Sequence, residues 1–321
     1  MLNVALVVAG ILLLTLGGEV LIRGALGAAR RFGVSPLLSG LVIVGFGTSA
    51  PELVVSVNAA LGGQPDIAIG NVVGSNIGNV LLILGLCAVI MPLSVQPLAL
   101  RRDATTVIGA SVLFMLLVMG GELNRIGALV LLASLAAYLA WAYRTERAPA
   151  SSAPGAMHAA EADEVQPVPP RAGWILGALG GGLVLLIAGS QVLLHGAVGI
   201  AESLGLSKAV IGLTLVAVGT SLPELTVSVI AALRRHADVA VGNILGSNIF
   251  NLLGILGVAG LMAPLPLDER ILGFDQWVML ATAVLLLAFL YTGRRLSRTE
   301  GAVLLGAYAA YLLASFALIA N

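Results

Sequence analysis

The chain has few charged residues, a single cysteine and a single lysine. Only 10% of its 321 residues are charged and 59% are hydrophobic, and the mean hydropathy is +1.05. Soluble domains carry about 25% charged residues, so this composition excludes an ordinary soluble domain and predicts a protein that crosses a membrane several times. The net charge of zero indicates no bias toward nucleic acid.

The scarce residue types exclude several kinds of chemistry. Cys87 has no cysteine partner, which rules out an internal disulfide and a thiolate metal site. Lys208 lacks the Ser or Thr that follows the lysine of a phosphate-binding loop, so an ATP-driven pump is excluded. The three histidines, His158, His195 and His236, lie outside the polar motifs, which leaves no base for a serine hydrolase. We therefore expect neither an enzyme nor a bound cofactor.

Ten apolar stretches are long enough to cross a membrane, since a spanning helix needs about 20 apolar residues. Residues 144–172 divide them and are rich in Pro, Ala, Ser and acids, a composition that predicts a flexible linker. The predicted units are residues 1–143, the linker 144–172 and residues 173–321. The ten predicted helices cover residues 3–22, 36–61, 67–91, 104–120, 126–143, 173–194, 208–233, 239–262, 273–292 and 301–320.

The two halves repeat each other at an offset of 172 residues. Compared without gaps, residues 47–85 and 219–257 share 25 identities in 39 positions. The offset places Glu52 on Glu224 and Asn79 on Asn251, so the halves are copies of one five-helix unit.

The basic residues predict the orientation of the two copies, because they favour the cytoplasmic side of a membrane. With the N-terminus outside, 13 of the 16 basic residues fall in inside segments, and only Arg125, Lys208 and Arg270 fall outside. Five helices is an odd number, so the second copy enters the membrane upside down. The predicted fold is an all-α membrane protein of ten transmembrane helices in two inverted five-helix repeats, with both termini outside and the linker cytoplasmic.

Each repeat places one acid inside an apolar run. Residues 47–52 read Gly-Thr-Ser-Ala-Pro-Glu, and residues 219–224 read Gly-Thr-Ser-Leu-Pro-Glu. A charged side chain at the bilayer centre costs at least about 2.5–3.5 kcal/mol, and such residues mark ion pathways. Pro51 and Pro223 cannot donate a backbone hydrogen bond, so we expect both helices to be interrupted at the central site and to leave carbonyl oxygens free.

A second polar segment in each repeat is rich in asparagine and serine. Ser75 and Asn79 are four residues apart, as are Ser247 and Asn251, so each pair can point the same way. Other asparagines are expected to hydrogen-bond across helices in a structural role, and two aspartates are expected to cap helix starts. These residues are Asn71, Asn76, Asn243, Asn248, Asp66 and Asp238.

Together the motifs offer carboxylate, hydroxyl, amide and backbone oxygens, without sulfur or imidazole. An all-oxygen set suits hard cations, calcium especially, and disfavours zinc and copper. Two carboxylates can neutralise one calcium ion, or they can take monovalent cations or protons instead, and such an exchange is the basis of antiport. A cation channel would also use broken helices, although paired acids in inverted repeats favour alternating access.

The two motifs resemble the alpha repeats of the cation/calcium exchanger superfamily, most of all its prokaryotic sodium/calcium exchangers. The resemblance covers both repeats and rests on G-T-S-x-P-E followed by G-N-x-x-G-S-N-I-x-N. It implies one central site for which calcium and sodium compete, and first and sixth helices that slide against the rest. The ligands it implies are the carbonyls of Gly45 and Ala217 and the side chains of Thr48, Ser49, Glu52, Ser75, Asn79, Thr220, Ser221, Glu224, Ser247 and Asn251.

Asn251 stands where some prokaryotic members and the potassium-dependent exchangers have an aspartate, so the pocket carries two acids rather than three. The proton/calcium branch typically has a different signature around its glutamate, which favours sodium as the driving ion and leaves protons as the alternative. We expect a prokaryotic cell (inner) membrane as the location, calcium and sodium as transported ions, the lipid bilayer as partner, and no nucleic acid or obligate protein partner.

Overall fold

The structure is a computed structural model that describes residues 2–97, 99–146, 171–203 and 217–320. Helices dominate these residues. In the first half they are α1 (Leu2–Phe32), α2 (Pro36–Thr48), α3 (Ala50–Leu61), α4 (Pro65–Ile90), α5 (Ala99–Ala104, continued by Thr105–Leu117) and α6 (Arg125–Glu146). In the second half they are α7 (Ala172–Ser203), α8 (Ala217–Thr220), α9 (Leu222–Leu233), α10 (Ala237–Met262), α11 (Ile271–Gly293) and α12 (Arg298–Ala320).

The described helices fall where the sequence predicts membrane spans. Six of them (α1, α4, α6, α7, α10 and α11) are long and apolar enough to cross a membrane, and the bent pair α2–α3 makes a seventh. The first part of the predicted span 208–233, residues 208–216, lies outside the described residues. Residues 147–170 of the predicted linker also lie outside them. The apolar, helical character of the fold is confirmed, while the count of ten helices, their inverted arrangement and the unit boundaries stay predictions.

The molecule is apolar on its outside and polar at its centre. Leu12, Leu116 and Met119 are each more than half exposed, whereas Glu52 and Glu224 are only 1% exposed. Soluble proteins rarely expose large contiguous apolar surfaces, and lipid cannot satisfy polar groups, which must then find partners inside the protein. This distribution of side chains suits a bilayer.

Helices α1 and α7 pack in antiparallel order through glycines that recur every seven residues. A Cβ atom at Gly17 would lie 2.8 Å from the backbone nitrogen of Leu186, and one at Gly189 would lie 2.8 Å from that of Leu14. Because no side chain fits in these positions, the two backbones approach each other directly, as small residues allow in membrane helices.

Both helices of this pair end later than the sequence predicts, at Phe32 and Ser203 rather than near residues 22 and 194. The apolar windows mark only the stretch that faces lipid. Beyond it, the close contact continues: a Cβ atom at Gly24 would lie 3.1 Å from the backbone nitrogen of Leu179. Pairing with the partner helix therefore extends both helices past their most apolar part.

Five π-helical turns interrupt the α-helices of the described residues, and the sequence analysis predicts none of them. A π turn accommodates one extra residue and so rotates the side chains that follow it about the helix axis. Such turns are frequent at functional sites. Asn79 opens one of these turns and Asn251 lies in another. The five turns are Gly40–Gly45 in α2, Asn79–Leu84 in α4, Ala99–Ala104 in α5, Phe250–Ile255 in α10 and Ile271–Asp275 in α11.

Four two-residue strands lie in the loops between the helices of the described residues. The strands are β1 (Leu93–Ser94), β2 (Glu122–Leu123), β3 (Leu265–Pro266) and β4 (Arg295–Leu296). They form two antiparallel sheets, β1 with β4 and β2 with β3, so each sheet joins the first half to the second. Strands this short carry no alternating pattern long enough to be recognised in a sequence.

Candidate cation site

The two acidic motifs break their helices as predicted. Helices α2 and α3 meet at Ser49 with a bend of 44°, and Ser221 separates α8 from α9. Both serines leave the helical region, with ψ angles of 7° and 8°. Pro51 and Pro223 follow within the first turn of the next helix, where their missing N–H groups do least harm. The predicted interruption is confirmed in both motifs.

The acids from the two halves are linked crosswise by these serines. Ser221 Oγ donates to Glu52 Oε1 at 3.1 Å, and Ser49 Oγ donates to Glu224 Oε1 at 3.0 Å. Each hydroxyl thus serves the carboxylate of the opposite half rather than the one three residues further along its own chain. The two glutamates consequently converge on one buried region.

Two asparagine pairs join α4 to α10 beside the acids. Asn79 Nδ2 donates to Asn248 Oδ1 at 2.9 Å, and Asn251 Nδ2 donates to Asn76 Oδ1 at 3.0 Å. The amides of Asn76 and Asn248 also donate to each other's backbone carbonyls, at 3.1 Å and 3.3 Å. The predicted cross-helix role of Asn76 and Asn248 is confirmed. These contacts leave Asn79 and Asn251 with their carbonyl oxygens unused.

The helices that carry the acids are held to their neighbours by two further asparagines. Asn71 Nδ2 donates to the backbone carbonyl of Glu52 at 3.2 Å, and Asn243 Nδ2 donates to that of Glu224 at 3.2 Å. The predicted structural role of Asn71 and Asn243 is therefore confirmed. Asn243 has one additional contact, since its Oδ1 accepts a hydrogen bond of 3.1 Å from Thr48 Oγ1.

Five buried oxygens in this region have no hydrogen-bond partner. Buried polar groups in native proteins are nearly always paired, and each unpaired one costs about 1–3 kcal/mol, more when charged. A cluster of such oxygens is therefore the signature of a site for a cation, which binds lone pairs without needing a donor. The five atoms are Glu52 Oε2, Glu224 Oε2, Asn79 Oδ1, Asn251 Oδ1 and Thr220 Oγ1.

The remaining predicted ligands lie close to this cluster or next to it in the chain. The backbone carbonyl of Gly45 accepts hydrogen bonds from Ser247 Oγ at 3.0 Å and from Thr48 Oγ1 at 3.3 Å. Ser75 is 8% exposed and lies one turn before Asn79. Ala217 begins helix α8. Gly45 is the last residue of the π turn Gly40–Gly45 in α2.

Two aspartates with a predicted capping role lie two positions beyond the cap of their helices. The residues preceding α4 and α10 are Gln64 and His236, and neither side chain caps its helix. Asp66 and Asp238 lie in the first turn, where a negative charge still favours the helix dipole. Asp238 Oδ2 also accepts a hydrogen bond of 2.9 Å from Gln96.

A second buried polar cluster, which the sequence analysis missed, lies apart from the acids. Arg102 pairs with Asp103 at 2.6 Å and with Glu146 at 3.1 Å. Tyr138 donates to Asp103 at 2.8 Å, and Glu146 accepts the backbone N–H of Ser35 at 3.1 Å. This ion cluster joins α5, the end of α6 and the start of α2. Its only sequence signal is an aspartate beside two arginines, which also fits a solvated loop.

Glu19, another acid within a predicted span, is paired with two arginines. Its Oε1 pairs with Arg23 at 2.9 Å and its Oε2 with Arg234 at 3.3 Å, and the carboxylate is partly exposed. Among the described residues no group of three or more His, Cys, Asp or Glu side chains is placed to hold a metal ion.

The chain is similar to known proteins over almost its full length. It is 40% identical to CaxA of Alkalimonas amylolytica, which carries the name of an antiporter, covering 95% of this chain and 96% of that protein. It is 34% identical to the sodium/calcium exchanger MaX1 of Methanosarcina acetivorans, covering 98% of each chain.

Solved structures of the sodium-calcium exchanger NCX_Mj have the same fold. One of them matches with a TM-score of 0.83 and 30% identity, covering 98% of this chain and 99% of that chain. The family described as sodium/calcium exchanger protein matches residues 2–144 and 174–317, which include both acidic motifs and both asparagine-rich segments. The chain therefore belongs to the sodium/calcium exchanger family, in its prokaryotic branch.

Proposed function

We propose that this protein is a secondary antiporter that exchanges Ca²⁺ for Na⁺ across a membrane by alternating access. The observation that carries the proposal is the cluster of five unpaired buried oxygens contributed by Glu52, Asn79, Thr220, Glu224 and Asn251. Calcium takes six to eight oxygen ligands. The family and its named exchangers support calcium antiport as the activity, and an antiporter needs neither a catalytic group nor a cofactor.

The proposed ligands combine this cluster with the neighbouring hydroxyls and carbonyls. Both acids contribute an oxygen that is not used in the crosswise serine bonds. Ser49 and Ser221 keep lone pairs, because each donates its single hydrogen to a carboxylate. The full proposed set is the carbonyls of Gly45 and Ala217 and the side chains of Thr48, Ser49, Glu52, Ser75, Asn79, Thr220, Ser221, Glu224, Ser247 and Asn251.

The charge of the site explains why ions exchange there. Two carboxylates balance one Ca²⁺, and an empty site would leave two like charges buried near each other, which is strongly unfavourable. Monovalent cations that enter in place of calcium neutralise the same two carboxylates. The protein is therefore expected to change the side to which the site opens only when the site is neutralised. This requirement couples the movement of one ion species to the counter-movement of the other.

We propose ten membrane helices in two inverted repeats, with both termini outside and residues 144–172 in the cytoplasm. The 172-residue offset relates the crosswise bonds of Ser49 and Ser221 to each other, as a twofold axis in the membrane plane would require. Helices α1 and α7, packed backbone to backbone, would slide as one body against the rest. The location would be a prokaryotic cell membrane.

Reconstituted vesicles test the proposal and its alternative. Purified protein in liposomes loaded with Na⁺ should take up Ca²⁺ when external Na⁺ is removed, and a pH gradient of either direction without Na⁺ should drive much less uptake. Uptake that follows the pH gradient alone would establish proton coupling instead. Calcium that only equilibrates, without accumulating above the external concentration, would identify a channel.

A further inference from the structure

Ser190, a buried residue of α7, donates a short hydrogen bond to the helix break of the second half. Its Oγ donates to the backbone carbonyl of Gly219 at 2.6 Å, and the residue is 6% exposed. Gly219 lies in α8, directly before Thr220 and Ser221 of the acidic motif. In an unbroken helix this carbonyl would accept the N–H of residue 223, but Pro223 has no N–H to donate. Ser190 therefore supplies the hydrogen bond that the proline removes.

The hydroxyl reaches this carbonyl because α7 packs directly against the break. A Cβ atom at Gly219 would lie 2.9 Å from Cδ2 of Leu194, which follows Ser190 by one turn. Helix α7 also reaches the break of the first half, where a Cβ atom at Gly47 would lie 2.8 Å from Leu183 Cδ2. Ser190 is the one residue with a hydroxyl between these two leucines. The helix therefore contacts both breaks and directs its hydroxyl to the second.

The equivalent position in the first half has no hydroxyl to offer. The offset of 172 residues places Ser190 on Gly18 and Gly219 on Gly47. A Cβ atom at Gly18 would lie 2.8 Å from Ile230 Cδ1, so an apolar side chain of α9 fills the space beside this glycine. The duplicated motif therefore does not account for the serine, and the second half has acquired a contact that the offset does not predict.

The anchored carbonyl lies immediately before two of the proposed ligands. A carbonyl shares a rigid, planar peptide group with the nitrogen of the next residue, so the bond from Ser190 fixes the backbone that enters Thr220. The residue after that, Ser221, donates to Glu52 Oε1 at 3.1 Å. The orientation of an acid in the first half thus depends on a stretch of backbone that α7 holds in place.

We propose that Ser190 is a positioning residue of the cation site. It holds the break of the second half in the geometry in which Thr220 and Ser221 bind the ion, and it acts through the carbonyl of Gly219 rather than on the ion itself. The inference rests on the proposed function, because it requires that these residues bind a transported cation. Its consequence is that loss of the hydroxyl at position 190 weakens calcium binding.

Equilibrium binding of radioactive calcium to the purified protein in detergent tests this inference. Loss of one buried hydrogen bond should raise the Kd of Ser190→Ala for Ca²⁺ about fivefold above that of the parent. The midpoint of thermal unfolding is measured in parallel with a chelator present. A purely structural serine would lower that midpoint and leave the Kd unchanged, so the two measurements separate positioning of the site from general stability.

Two further variants isolate the hydroxyl and cover the case that Ser190→Ala does not fold. Threonine and valine have nearly the same shape and differ in the hydroxyl, so Ser190→Thr should bind calcium about fivefold more tightly than Ser190→Val. The matched control is Ser203→Ala, because Ser203 ends the same helix and donates to the carbonyl of Ile200 at 2.6 Å within that helix. Its Kd should stay within about twofold of the parent.

The inference is overturned if Ser190→Ala binds calcium with the Kd of the parent, if Ser190→Thr and Ser190→Val have equal Kd values, or if Ser203→Ala raises the Kd as much as Ser190→Ala does. Binding in detergent needs no ion gradient. A parent protein that fails to accumulate calcium in exchange for sodium would refute the proposed function, and it would still give a Kd against which each variant is compared.

Discussion

Ser49 donates a hydrogen bond of 3.0 Å to the carboxylate of Glu224, which lies 175 residues later in the chain. The bond crosses from one half of the protein to the other, and Ser221 returns it to Glu52. Neither acid can therefore be positioned by its own half alone.

Removing either charge should abolish transport. We expect Glu52→Gln and Glu224→Gln each to reduce Na⁺-driven Ca²⁺ uptake to background, because a single remaining carboxylate cannot neutralise a divalent ion in a buried site. Both variants should still elute as folded protein in detergent. Asp66→Asn, which changes an exposed acid in the first turn of α4, is the control and should keep most activity. Full sodium-driven uptake by either glutamine variant would remove that acid from the mechanism.

Calcium should stabilise the protein against heat. A ligand at a hundred times its Kd adds about 2.7 kcal/mol to the free energy of unfolding, so the midpoint of thermal unfolding in detergent should rise with Ca²⁺ concentration. Glu224→Gln should lose this dependence because the site can no longer balance the ion. An equal calcium-dependent rise in the variant would place the binding site elsewhere.

Adding a methyl group between α1 and α7 should disturb the whole pair. Gly189→Ala puts a Cβ atom 2.8 Å from the backbone nitrogen of Leu14, and overpacking of this kind typically costs about 1–3 kcal/mol. Gly177→Ala in the same helix meets no described atom within 4 Å and is the matched control. The midpoint of thermal unfolding and the rate of calcium uptake should both fall for Gly189→Ala. Both should stay near those of the parent for Gly177→Ala. Equal behaviour of the two variants would contradict the close packing.

The ion cluster around Arg102 should matter more for stability than the exposed pair at Glu19. Breaking a buried ion pair by removing one partner costs about 3–5 kcal/mol, so Asp103→Asn should strongly lower the midpoint of thermal unfolding. Glu19→Gln breaks pairs whose arginines are more than half exposed, and such pairs contribute about 0–1 kcal/mol. A loss of stability for Glu19→Gln as large as for Asp103→Asn would refute this ranking.

The two acidic motifs stand out in the sequence because acids and prolines are rare within apolar runs. An acid such as Glu52 in an apolar run, directly preceded by Pro51 at the helix break and repeated at a fixed offset, has few structural explanations. The crosswise pairing of Ser49 with Glu224 could not be predicted in the same way. Spacing within one helix places Ser49 beside Glu52, and only the three-dimensional meeting of the halves reverses the partners.

Other features leave little trace in sequence. The π turn that begins at Asn79 depends on a local slip in hydrogen bonding that several residue types permit. The burial of Arg102 depends on α6 and the start of α2 closing over it. Helices α4 and α10 begin two residues before the predicted starts, which moves Asp66 and Asp238 from the cap into the first turn, because helix ends are read from sequence only to within a few residues.

The two small sheets have a consequence for biosynthesis. Each sheet contains one strand from each half. Strand β1 pairs with β4, which is formed by Arg295–Leu296 near the end of the chain. The first half leaves the ribosome with β1 and β2 both unpaired, and it must wait in the membrane until nearly the entire chain has been made. Fragments cut within the linker and produced from separate genes should therefore be degraded singly and accumulate only when both are made in the same cell.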